Sequence, residues 1–134
     1  MYVEADLIYS LIKPEDWLKP VSEKLFKKLS KEKLFTSVIT VTEIEIVSRR
    51  EIGIEFSDKV LELIESRIKN IEFIPLTKEI LKRAVEVRKK HGLNIFDSLH
   101  SATCLVHKEE ILSTDKVFDF VKDLKRIDPR DFIR

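Results

Sequence analysis

The sequence predicts an α/β fold with three layers, α/β/α, around a mainly parallel central sheet of four to five strands. Two observations carry this. Short runs rich in β-branched and aromatic residues alternate along the chain with longer stretches of helical periodicity. Strands separated by helices are joined by crossovers, and crossovers make neighbouring strands parallel. The length of 134 residues suits one domain spanning residues 1–134, with a proper core and no room for a second comfortable one.

Each element follows from its local pattern. "MYVEAD" opens on a short strand, and "LIYSLI" can wind into a helix. Pro14 and Pro20 punctuate the next stretch, and Val21, Leu25 and Leu29 recur at helical spacing between Pro20 and Lys31. "LFTSVI" reads as a buried strand and leads into a helix from Thr40 to about Ile52. A helix from Ser57 to Lys69 places Val60, Ile64 and Ile68 on one face, and "IEFIPL" is the third strand. Thr77 to Lys90 is a helix with Ile80, Ala84 and Val87 turned inward. Asn94 to His107 is another, with Ile95, Leu99, Ala102 and Val106 as its core stripe. "EILST" is the fourth strand, Asp115 starts a short helix, and "KRIDP" adds an edge strand.

Composition removes several function classes. Gly53 and Gly92 are the only glycines, and each follows a basic helical stretch, where it fits a helix C-terminal cap. None remains for a phosphate-cradling loop, which excludes Walker-type and Rossmann-type nucleotide binding. The single cysteine, Cys104, has no disulfide partner and lies in an apolar stretch, as a buried inert thiol would. No apolar run approaches the roughly 20 residues of a membrane span, and no signal-peptide pattern is present, so a cytoplasmic protein is expected. The 25 basic residues nearly balance 24 acidic ones, so nucleic-acid contact would have to come from local patches such as Arg49 and Arg50, or Arg88, Lys89 and Lys90. Glutamine is absent while Lys, Glu and Ile are abundant, a composition like that of proteins from hot environments.

Five acids fall where the carboxyl edge of the sheet should be, which is where parallel α/β folds bind ligands. Glu4 and Asp6 close the first strand, Glu43 lies in the first turn of the helix after the second, Asp97 opens the helix before the fourth, and Asp115 ends that strand. Each alone has a bland explanation. Thr40-x-x-Glu43 reads as a capping box worth about 1 kcal/mol, Asn94-x-x-Asp97 puts an acid in a first turn, and Asp6 and Asp115 read as N-caps. Ser, Thr or Asn would cap as well, however, and here every element reaching this edge brings a carboxylate. Several carboxylates in one semi-buried place repel one another unless a cation neutralises them. Hard oxygen donors without His or Cys point to Mg²⁺ or Mn²⁺, and such a centre can hydrolyse phosphodiesters. His91, His100 and His107 read as packed or surface helix residues.

"VEADLIY", "SVITVTE", "NIFDSLHSATC" and "STDKVF", in this order and spacing, resemble the PIN-domain family, close to its VapC-type toxin ribonucleases. The resemblance runs from Tyr2 to about Phe118. It implies a metal-dependent endoribonuclease acting on RNA, a homodimer and a small antitoxin as partner. Glu4, Asp6, Glu43, Asp97 and Asp115 would be the catalytic and metal-binding acids, with Ser113 as a supporting hydroxyl. The family's leading Asp falls on Glu4, one methylene longer, and a further acid often found two residues after the last Asp is Val117 here. Two other readings stand beside it: a silent PIN-like module that binds RNA or protein, and a phosphoacceptor or phosphatase domain using Asp6 as nucleophile with Lys116 nearby.

Overall fold

Residues 1–133 are described by the structure, a computed structural model. Strand β1 (Tyr2–Val3) is followed by a one-and-a-half-turn helix α1 (Ala5–Tyr9) and by α2 (Lys19–Lys28). Strand β2 (Leu34–Ser37) runs straight into α3 (Val38–Glu51), then α4 (Ser57–Ser66) and β3 (Ile71–Ile74). Helices α5 (Lys78–His91) and α6 (Ile95–His107) precede β4 (Ile111–Leu112), a 3-10 turn (Lys116–Phe120), β5 (Arg126–Ile127) and a second 3-10 turn (Pro129–Phe132).

The strands lie in the order β3-β2-β1-β4-β5, and every adjacent pair is parallel. Successive side chains of a strand point to opposite faces, and both faces are covered. Val3 and Leu112 join a core with Leu7, Leu25, Ile44 and Val60, whereas their neighbours Tyr2 and Ile111 join a second core with Ile80, Ala84, Leu99 and Phe118. The three predicted layers are therefore present. The chain runs outward from β1 to β3, then returns to place β4 on the other side of β1, which makes the β1–β4 boundary the switch point of the sheet. No helix among the described residues is long and apolar enough to cross a membrane.

Three expectations are corrected. Helix α3 begins at Val38, not Thr40, because the Thr40 hydroxyl accepts a hydrogen bond from Thr36 Oγ1 at 2.8 Å and caps nothing. The predicted capping box is thus absent, and Glu43 stands in the second turn. Helix α4 stops at Ser66 instead of Lys69, and the turn that follows keeps Ile68 buried. Ile95, assigned to the core stripe of α6, is 63% exposed at the first position of that helix. Gly92 caps α5 at φ 69° as expected, but α6 ends on Lys108 at φ 54°, a conformation normally left to glycine.

Candidate metal centre

The switch point delivers two of the acids directly. Glu4 leaves β1 as the N-cap residue of α1 and is only 4% exposed. Ser113 leaves β4 beside it and donates to Glu4 Oε2 at 3.4 Å. The same Ser113 oxygen accepts the Asp115 backbone N–H at 3.0 Å, and Asp115 Oδ1 in turn accepts from Val117 N–H at 2.9 Å, so it caps the 3-10 turn as expected. Arg126 Nη1 holds the Ser113 carbonyl at 2.9 Å while the rest of its guanidinium pairs with Asp119. Asp6, expected as an N-cap, lies instead in the first turn of α1 and faces solvent.

Helices α3 and α6 bring the other two. Asp97 occupies the third position of α6, its N–H donating to the Asn94 side chain at 2.8 Å and its Oδ2 accepting from Asn94 Nδ2 at 2.9 Å. Glu43 Oε1 lies 2.7 Å from Nε2 of His100, a fully buried ring. One ligand-type atom from each of Glu4, Glu43 and His100 falls within 4.8 Å of the others. Both nitrogens of His100 are engaged, however, because Nδ1 sits 2.6 Å from the Tyr2 hydroxyl. Tyr2 also contacts Ser37 Oγ at 2.8 Å.

Valence orders this buried chain. A carboxylate oxygen only accepts, so the His100 nitrogen facing Glu43 carries the hydrogen. In the neutral ring Nδ1 then accepts from Tyr2, and Tyr2 accepts from Ser37. Burial lifts the Tyr2 phenol far above its usual range, which keeps it protonated as that donor. His100 thereby orients Glu43 through one oxygen and leaves the other without that bond.

The electrostatics is that of an uncompensated anionic site. Burial raises the Glu4 carboxyl well above the usual carboxylate range, and Asp6, Glu43 and Asp97 raise it further. Asp6 reaches solvent, yet withdrawal from bulk water by the surrounding protein comes first in pushing it up to about 6, with Glu43, Asp115, Asp16 and Asp97 adding to it. Asp97 is raised by burial and then by Asp115, with Glu43 adding to it. The strongest charged influences on Glu4 and Asp6 are all acids. A cluster of hard oxygen donors with mutually raised acids fits a divalent cation, which would remove the repulsion at once. One turn beyond Asp97, the Ser101 hydroxyl is buried without a hydrogen-bond partner.

Glu4, Asp6 and Asp97 are each raised by others of the five expected acids, Glu43 and Asp115 among them, and Ser113 links Glu4 to the backbone of Asp115. Sequence reasoning set His100 aside as packed or surface; it is packed, but bonded to Glu43. Tyr2 was read only as part of a strand. The available signal was a polar ring in the small, uncharged stretch "SLHSATC", where burial demands partners. Of the basic residues, Arg49 pairs with Glu55 and Glu45 and is spent on the surface. Arg88 Nη1 donates to Ser98 Oγ at 2.7 Å, next to Asp97.

Acids converge beyond the switch point of a parallel α/β sheet, the place where such folds bind their ligands. The sequence model of the PIN domain family matches residues 1–124. The chain belongs to the PIN domain family, whose members are in general nucleases. Several solved structures share the fold. FitAcB from Neisseria gonorrhoeae is 18% identical, with a TM-score of 0.71 over 96% of this chain and 97% of that one. VapBC2 from Rickettsia felis, bound to a DNA fragment from its promoter, is 16% identical, with a TM-score of 0.70 over 94% and 96%. VapC20 from Mycobacterium tuberculosis, described as a sarcin-ricin loop cleaving toxin, is 16% identical, with a TM-score of 0.70 over 86% and 89%. No curated protein matches the sequence.

Proposed function

We propose that this chain is a metal-dependent endoribonuclease that hydrolyses RNA phosphodiester bonds, and that it is the toxin of a toxin–antitoxin pair. The observation that carries the reading is the buried Glu4 carboxylate, surrounded by acids and held at the switch point of the sheet. Glu4, Asp6, Glu43, Asp97 and Asp115 would hold Mg²⁺ or Mn²⁺. Bound there, the cation supplies an activated water and neutralises charge on the scissile phosphate.

The protein's own residues prepare that site. His100 fixes Glu43, Asn94 fixes Asp97, and the Ser113 hydroxyl ties Glu4 to the backbone of Asp115. Glu4 is longer than the aspartate its relatives were expected to carry, and its carboxylate still comes within 4.8 Å of Glu43 and His100. That supports an adjusted ligand over a silenced one. Residues 1–134 would act as one cytoplasmic domain and pair as a homodimer. Support for a small antitoxin partner comes from structural neighbours described as a toxin–antitoxin complex from Klebsiella pneumoniae and as FitAB bound to DNA.

Single-stranded RNA incubated with the parent in Mn²⁺, in EDTA, and with Asp97→Asn in Mn²⁺ tests the reading. Cleavage by the parent in Mn²⁺ alone is expected. An Asp97→Asn variant that cuts as fast as the parent, or cutting that survives EDTA, refutes it.

A further inference from the structure

Beside the acids lies a cleft that the proposed chemistry does not use. It encloses about 180 Å³ and is lined by Asp6, Lys13, Trp17, Glu51 and Thr114 among others. Asp6 and Thr114 belong to the edge of the acidic site, so the cleft runs from that site to Trp17. The indole is 70% exposed. An exposed Trp ordinarily costs apolar surface in water, and this one is held out by a built turn. Glu15 takes φ 55°, Asp16 Oδ1 accepts the Leu18 N–H at 2.8 Å, and the Asp16 carbonyl accepts from Lys19 N–H at 3.1 Å.

The chemistry of the cleft narrows its occupant. Glu51 is neutralised by Lys13 at 2.8 Å, the Asp16 side chain is engaged by Leu18, and Asp6 belongs to the cation. What remains is a flat aromatic face with Thr114 across the cleft from it, which suits a neutral planar group. Sites for drug-sized ligands run from about 300 Å³ upward, so this smaller cleft takes one ring system. Unpaired bases stack on aromatic side chains in this way, whereas bases inside a duplex have no free face to offer.

We propose that the cleft between Asp6 and Trp17 is a nucleobase subsite, in which one unpaired base of a single-stranded RNA stacks on Trp17 while an adjoining phosphate lies at the acidic site. The proposal rests on the nuclease reading and restricts its substrate to unpaired RNA at that position. Trp17 is the only tryptophan in the chain, so its fluorescence reports on this cleft alone.

A short single-stranded RNA carrying a fluorescent label, titrated with the protein in Ca²⁺, gives overall binding by anisotropy, and an unlabelled titration gives stacking by indole emission. Saturable quenching is expected with the single strand and not with its blunt duplex. Stacking loss typically weakens binding by roughly 5- to 150-fold, the change expected for Trp17→Ala, and Trp17→Tyr should restore most of it. RNA that binds without changing the indole emission, or binds Trp17→Ala as tightly as the parent, overturns the subsite and leaves the nuclease reading standing. A parent that binds no RNA overturns both. Unchanged RNA binding with lost self-association in Trp17→Ala assigns the indole to a protein interface instead.

Discussion

Replacing Tyr2 by Phe removes one oxygen and almost no packing, so it isolates the buried chain from Ser37 to Glu43. The phenol contacts Ser37 Oγ at 2.8 Å and His100 Nδ1 at 2.6 Å, and all three residues are essentially inaccessible to water. Each buried polar group stranded without a partner costs about 1–3 kcal/mol. Ser37 is the N-cap residue of α3 with no side-chain cap bond, so its freed hydroxyl can turn to the helix end and recover part of its share. His100 has no such alternative, and a net loss of about 2–4 kcal/mol follows. Urea unfolding of the metal-free protein measures it, with the midpoint shifted at unchanged slope. Adding Ser37→Ala to Tyr2→Phe removes one stranded group, so the double variant should be more stable than the sum of the single losses implies. The same loosening reaches Glu43, and Mn²⁺ affinity should fall about tenfold, as for other partners of metal ligands. A Tyr2→Phe variant within about 0.5 kcal/mol of the parent, the range of ordinary surface changes, refutes the chain.

The raised acids set a pH dependence for the metal-free protein. Asp6, near 3.8 when unfolded and about 6 when folded, holds its proton longer in the folded state, so its contribution is present below pH 4 and lost as pH rises through 6. A shift of that size is about 3 kcal/mol at full strength, which solvent screening at this exposed group cuts to about 1 kcal/mol. Melting of the metal-free protein should therefore fall between pH 4.5 and 7 by roughly the equivalent of 1 kcal/mol or more, and saturating Mn²⁺ should flatten the slope; a flat metal-free profile speaks against the cluster. Asp128 acts in the opposite sense, because its pairing with Arg130 and Arg126 lowers it to about 2, and its support is lost only as pH falls below 4. Glu4→Gln should raise the melting temperature of the metal-free protein at pH 7 and abolish the stabilisation by Mn²⁺, which in the parent approaches about 2.7 kcal/mol at a hundredfold excess over Kd. Lys108→Gly, at the left-handed end of α6, should stabilise by about 1 kcal/mol in the same unfolding assay.

The fold was legible because its signals were local. β-branched strand runs, helical stripes such as Ile80, Ala84 and Val87, and the αL cap at Gly92 each occupy a few residues, and each appears where expected. Boundaries failed where tertiary partners outbid local chemistry. Thr40 looked like a cap, but β2 carries Thr36 to within reach of its hydroxyl, and the helix starts two residues earlier. The acids were legible as a group because every element ending at one edge supplied one. His100 was not, because its meaning depends on Tyr2 from the first strand and Glu43 from another helix, 98 and 57 residues away. Trp17 likewise shows its exposure only once the turn that presents it is built.

Arg126 joins the end of the chain to the start of the chemistry. The family match stops at residue 124, yet two residues later a guanidinium grips the carbonyl of Ser113, whose hydroxyl spans Glu4 and the backbone of Asp115. A version trimmed to the matched span would keep the helices and all five acids while releasing the brace behind two of them. A cut or fusion made just upstream of that arginine would therefore act on the acidic cluster from behind, without altering any of its five acids.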